Sequence, residues 1–165
     1  GALAEVRLSA ATPQRERVSL LDFVDAVGVA AHLHAEYRGI QLTVEVVDPA
    51  LAIDVDRQLL TSALMNLIQN ALKFTRTRGG VTVRTHDANG RVLIDVEDEC
   101  GGMPEGDLPL GRPFVEKATS DRTGLGLGLS ISRKAVEANG GEILHRNIPG
   151  TGCVFTIDLP RAAAS

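Results

Sequence analysis

Aromatic residues make up only 3% of the 165 residues, and tryptophan is missing altogether. A core must therefore be assembled from Leu, Val, Ile and Ala, for which the hydrophobic fraction of 44% is sufficient. Cysteine is nearly absent. Cys100 and Cys153 lie far apart in no metal-ligand spacing, which excludes a disulfide scaffold and points to a reducing, cytoplasmic setting. No apolar run approaches the roughly 18 residues of a membrane span. The opening "GALAEVRLSA" also lacks the basic start and apolar stretch of a signal peptide. Nor is there an excess of positive charge. A net charge of -4 gives no reason to expect nucleic acid or an acidic membrane as partner. Repeats are absent, and the length fits one domain with a single core.

What is present reads as alternating helices and strands. Residues 1–16 are polar and read as a linker, or as the tail of a preceding helix. "RVSLLDF" predicts a short strand entering a helix capped by Asp22, and Gly39 predicts that helix's end. "IQLTVEVV" alternates as a strand does. From Asp56 to Phe74, Leu60, Ala63, Leu64, Leu67 and Ala71 recur at helical spacing. "GGVTVRTHD" and "RVLIDVEDE" predict a hairpin turning at "ANG". The glycine- and proline-rich stretch from about 100 to 122 fits no period, and a loop this long inside a compact domain implies a functional lid. A helix from about Leu125 to Asn139, then the strands "EILHRNI" and "GCVFTIDL", lead to a short tail at 161–165. The order predicts an α/β sandwich with helices on one face.

Three segments carry candidate chemistry. In "NLIQNALKFT", Asn66, Asn70 and Lys73 share one helix stripe beside the leucine face. Amide oxygens are hard donors suited to Mg²⁺, and a lysine one turn on meets phosphate as a point charge. A solvated polar edge is the alternative. In "VEDECGGMP", Asp98 ends an apolar strand beside bare backbone, where a carboxylate accepts a hydrogen bond from an exocyclic amine such as adenine's; a charged turn is the alternative. In "DRTGLGLGLSISRK", glycines admit phosphate oxygens to backbone N–H groups, and the helix start that follows is an anion site. The string is neither a P-loop nor a dinucleotide fingerprint.

In this order the segments resemble the catalytic ATP-binding domain of bacterial sensor histidine kinases. That superfamily also includes gyrase B subunits, heat-shock chaperone ATPases and mismatch-repair proteins. "NLIQNALKFT" is similar to the asparagine box, "DECGG" and "GLGLGLSI" to the two glycine boxes, and "GTGCVFTIDLP" to the terminal glycine-then-strand signature. The resemblance spans about Arg17 to Pro160. It implies a Bergerat-type two-layer α/β sandwich, with a mixed, mostly antiparallel sheet and about three helices on one face. Mg-ATP would lie between the asparagine helix and the lid. Asn70 is the implied principal Mg²⁺ ligand and Asn66 the second. Lys73 would meet phosphate, Phe74 would pack on the adenine side, and Asp98 would bind the adenine amine, with Gly102 and Met103 beside the base. Arg122, at the end of the lid, would reach the γ-phosphate when the lid closes; with Thr123 it would join the triphosphate lining of Gly124, Gly126 and Gly128, whose neighbours Leu125, Leu127 and Leu129 anchor the helix start. Thr156 would reach adenine through water.

Two departures stand out: Cys100 replaces the first glycine of its box, and Gly111 stands where the lid usually has a second phenylalanine beside Phe114. In hydrolytic superfamily members a Glu one turn before the metal-binding Asn activates water; here Asn66 cannot act as a general base. The expectation is transfer of the ATP γ-phosphoryl group to a histidine on a separate dimerisation domain, and from there to a response regulator receiver domain. His34, in "HAEYRG", matches the phosphoacceptor pattern poorly and reads as a helix-surface residue; His32, His86 and His145 offer no acceptor pattern either. The isolated chain is expected to be a monomer with negligible autophosphorylation. An anti-sigma-type serine kinase, an ATPase and a nucleotide-binding docking module are the alternatives.

Overall fold

Ser19 decides where the first helix starts. The structure, a computed structural model, describes residues 13–45, 47–76, 78–100 and 125–163. Strand β1 (Glu16–Ser19) passes directly into helix α1 (Leu20–Arg38), whose N-cap is Ser19, with its hydroxyl accepting from the Asp22 N–H at 3.3 Å. Asp22, expected as the cap, instead lies in the first turn, where its charge faces the positive end of the helix. Gly39 closes α1 at φ 67°. Strand β2 (Gln41–Val44) is shorter than the alternation predicts, and strand β3 (Ala52–Val55), antiparallel to β1, was not predicted at all.

Asp56 caps helix α2 (Arg57–Phe74) by accepting from the Leu59 N–H at 3.2 Å. The predicted stripe is the buried one: Leu60, Ala63, Leu64, Leu67 and Ala71 all belong to the core. Leu64→Ala is expected to cost about 2–5 kcal/mol in urea unfolding. A loss below 1 kcal/mol would mean that the α2 stripe does not anchor the core.

Strands β4 (Gly80–Ala88) and β5 (Arg91–Glu97) form a hairpin, with Asn89 at φ 51° and Gly90 at φ 76° in its two-residue turn. Two successive left-handed residues match the right-handed strand twist, so Asn-Gly is the favoured pair. Helix α3 (Leu125–Ala138) and strands β6 (Glu142–Ile148) and β7 (Gly152–Pro160) complete the described chain. The large sheet runs β2-β4-β5-β7-β6; only β2–β4 is parallel.

The sheet's two faces differ sharply. Val81, Val83, Val92, Ile94, Val96, Cys153, Ile157 and Leu159 are buried and belong to the same core as the helices. The other face carries cross-strand polar pairs, including Arg84–Glu97 at 3.0 Å, His86–Asp95 at 2.8 Å and Arg91–Asp158 at 2.8 Å. The chain is thus the predicted α/β sandwich. The expected C-terminal tail is partly tied down, since the Arg161 and Ala162 N–H groups donate to the Gly90 and Ala52 carbonyls.

Candidate nucleotide site

Asp98 continues the inward-facing register of β5 past the strand end, so its carboxylate enters the core rather than solvent; it is 1% exposed. Its Oδ1 accepts the N–H groups of Cys153 at 3.0 Å and Cys100 at 3.2 Å, and its own N–H donates to the Cys153 carbonyl at 2.9 Å. Burial pushes the carboxyl up to about 7; the adjoining Cys100 thiol adds to the rise, and the two backbone donors oppose it. Gly152 makes the arrangement possible, because a Cβ there would lie 1.8 Å from the Asp98 carbonyl oxygen. The Cys100 and Cys153 sulfurs stand 3.8 Å apart beside the carboxylate.

The C-terminal end of α2 is fastened to this strand end. The Arg76 N–H donates to the Glu99 carbonyl at 3.2 Å, the Glu99 N–H donates to Thr75 Oγ1 at 3.3 Å, and the Glu99 carboxylate accepts the Gly80 N–H. Lys73 and Asp98 therefore flank the same seam. Lys73 is exposed in the last helical turn, its Nζ 5.4 Å from the centroid of the half-buried Phe74 ring. A cation there is favoured both by the negative helix end and by the ring face.

Two turns further back, Asn66 Nδ2 donates to Ser132 Oγ of α3 at 2.9 Å, which turns the amide oxygen away from that hydroxyl. Asn70, on the same stripe, is half-buried. Ser132 is 1% exposed and Leu129 3%; together with Ala135 and Val136 they form the buried side of α3. Gly126 and Gly128 fall in the opening turns of α3, where a helix's first four N–H groups have no intrahelical acceptor. The alternating "GLGLGL" is thus helical from Leu125 onward. Gly102, Met103, Arg122, Thr123, Gly124 and the expected lid lie outside the described residues.

Thr156 does not join this site. Inward positions of β7 are odd-numbered, so Thr156 projects from the opposite face, where its hydroxyl donates to Asp95 Oδ1 at 2.6 Å. The expected water-bridged contact with adenine is therefore corrected. In the other direction, sequence reasoning missed Ser132, although a small polar residue three positions after Leu129 on an apolar stripe was a usable signal. Ser132→Ala is expected to release Asn66 and weaken Mg-nucleotide affinity about three- to tenfold, the worth of one neutral hydrogen bond. Unchanged affinity in a calorimetric titration would confine Ser132 to packing.

A buried acceptor at a strand end, an amide stripe and a helix start, all on the covered side of a mostly antiparallel sheet, define a nucleotide-binding α/β sandwich. Residues 55–163 match the model of the histidine kinase-, DNA gyrase B- and HSP90-like ATPase family. The chain belongs to that family. Among curated proteins it is similar to histidine protein kinase DivJ of Caulobacter vibrioides, at 35% identity over 86% of this chain and 25% of DivJ. It is also similar to the adaptive-response sensory kinase SasA of Parasynechococcus marenigrum, at 30% identity over 96% of this chain and 44% of SasA. The chain thus spans less than half of these relatives. Among solved structures it resembles full-length ShkA in complex with AMPPNP, with TM-score 0.81, 29% identity, and coverage of 99% of this chain and 35% of ShkA. The nucleotide-free catalytic domain of histidine kinase ThkA superimposes with TM-score 0.73 at 28% identity, covering 89% of this chain and 95% of that domain. This is an ATP-binding catalytic domain of the histidine-kinase type. Among the described residues, no helix is long and apolar enough to cross a membrane.

Proposed function

We propose that this domain holds Mg-ATP between α2 and α3 and donates the γ-phosphoryl group to a histidine on a separate dimerisation domain, from which a response regulator receiver domain takes it. The observation that carries the reading is the tie between Asn66 and Ser132, which joins the amide stripe to the helix whose start supplies an anion site. Asn66 and Asn70 offer two hard amide oxygens one turn apart, a donor set that suits a cation keeping several of its waters. When bound, Mg²⁺ neutralises charge on the phosphate oxygens. Lys73 adds a point charge beside them, and Asp98 accepts the adenine amine.

Asn66 contributes no base, so the site positions a donor and leaves proton removal to the acceptor's surroundings. This chain's own histidines have other contacts. His32 Nδ1 lies 2.7 Å from the Gly28 carbonyl, His86 pairs with Asp95, and His145 packs edge-on against Phe155 with ring centroids 4.7 Å apart. His34 lies on the surface of α1, its ring nitrogen 3.5 Å from Gln69 Nε2.

Calorimetric titration of ATP with and without Mg²⁺ tests the reading. Affinity is expected to fall when the cation is chelated. Asn70→Ala should remove that Mg²⁺ dependence, at a cost of tenfold or more, while leaving the circular dichroism spectrum unchanged. Mixing with a histidine-bearing dimerisation domain should yield acid-labile phosphate, whereas the chain alone should yield none. Failure to bind at millimolar ATP would sink the proposal.

A further inference from the structure

Cys100 and Cys153 are 53 positions apart in sequence, yet the β5–β7 ladder brings their sulfurs to 3.8 Å. A carboxylate oxygen of Asp98 joins them, so that one ligand atom from each of the three residues lies within 4.8 Å of the others. Two thiolates held about 2.3 Å from a zinc ion at the tetrahedral angle stand about 3.8 Å apart. Closing a disulfide would require the same sulfurs to move to about 2.05 Å. The separation therefore suits a shared ion better than a sulfur–sulfur bond.

The surroundings point the same way. Asp98 and Cys153 are buried while Cys100 is partly exposed, so an ion enters past Cys100 and meets the other two ligands inside. Among the described residues, no cationic side chain pairs with Asp98, and a buried carboxylate without a counter-charge is costly. Both cysteine N–H groups already fix Asp98 Oδ1, so the carboxylate ligand is oriented by the backbone of the two residues that supply the thiols. The Cys153 thiol also donates to the amide oxygen of Asn147 at 3.9 Å, a hydrogen bond that a thiolate ligand would give up.

We propose that Asp98, Cys100 and Cys153 form a site for a thiophilic divalent cation of the zinc class, with a fourth position open to water. On binding, two S–H bonds break, two metal–sulfur bonds form, Asp98 gives up its proton wherever it still holds one, and all of these protons leave to solvent. Soft thiolates select zinc-class ions over Mg²⁺, so this site and the amide stripe of α2 discriminate between the two cations by ligand type. An ion on Asp98 occupies the acceptor that the adenine amine requires, so zinc and adenine nucleotide exclude one another; this consequence rests on the adenine role proposed above.

Cadmium added to the full chain, with a phosphine reductant present and nucleotide absent, tests the site alone. At pH 8, where Asp98 is already ionised, one equivalent should raise the ultraviolet thiolate-to-cadmium charge-transfer band and release about two protons, and a large excess of Mg²⁺ should not reverse it. Cys100→Ser and Cys153→Ala should each abolish the band or weaken binding at least tenfold; Cys100 is only partly buried, so its variant keeps the test decisive if the other fails to fold. No band, or a band that survives Cys100→Ser, would overturn the proposal. In a second arm, saturating Zn²⁺ should raise the apparent Kd for a nonhydrolysable ATP analogue at least tenfold. Metal held by both cysteines with nucleotide affinity unchanged would uphold the metal site and overturn the adenine role of Asp98.

Discussion

Asp98→Asn is expected to make the folded chain more stable at pH 8 and to weaken adenine nucleotide binding about 10- to 150-fold, the range for losing a hydrogen bond to a charged acceptor. The stability effect follows from the raised pKa. In the folded chain this carboxyl titrates at about 7, against an ordinary value of 3.8, because burial disfavours its charge. The folded state therefore binds the proton more tightly than the unfolded state between those two values. Its stabilising contribution is complete below about pH 4, declines as pH rises toward 7, and is lost above it, a change of about 4 kcal/mol for a shift of roughly three units. Asparagine has no such dependence. Urea unfolding of both proteins from pH 5 to pH 8 should show the wild type falling behind its variant as pH rises. Nucleotide affinity runs the opposite way. The adenine amine donates to the ionised carboxylate, so wild-type affinity should climb up to about pH 7 and then level off, while the variant stays flat. Parallel pH profiles for the two proteins would exclude Asp98 as the titrating acceptor.

Gly152→Ala is expected to be the most damaging glycine-to-alanine change among the described residues. A Cβ placed there lies 1.8 Å from the Asp98 carbonyl oxygen and 3.0 Å from its carboxylate Oδ1. Backbone has no rotamer with which to move aside, so the β5–β7 junction must part by more than an ångström. A cost above about 3 kcal/mol is expected, at the severe end for overpacking. Because that junction also holds the Asp98 carboxylate, nucleotide affinity should fall with stability even under conditions where the variant remains folded. Wild-type stability in urea would show that β7 starts further from Asp98.

Helix α2 was legible from its apolar stripe, which set bounds of about Asp56 to Phe74; that Asp56 is the cap rather than the first helical residue came from the structure. The β4–β5 hairpin was equally plain, because Asn89-Gly90 dictates its turn. Strand β3 escaped notice: four residues between a proline-bearing turn and a helix cap leave no room for a period to appear. The adenine contact of Thr156 was implied by the resemblance alone, and alternation in "CVFTIDL" could not check it, because Val154 and Phe155 are both apolar and hide which set faces inward. Only the register against β5 decides that. The glycine and asparagine motifs were visible as chemistry, and the family resemblance followed from their order. The burial of Asp98 was not visible, because it depends on a ladder partner 55 positions away.

Asn139 gives the helix pair a further property. Its Oδ1 accepts the Asp56 N–H at 2.7 Å while its Nδ2 donates to the Ala135 carbonyl at 2.8 Å, so the first residue after α3 is clasped to the cap of α2. With Asn66–Ser132 as a second rivet along their length, the two helices behave as tweezers closed at the Asp56 end. Their tips, the Lys73 end of α2 and the Leu125 end of α3, are left to grip whatever enters between them. A polyanion arriving there finds its jaws already spaced, and little of its binding energy goes into bringing them together.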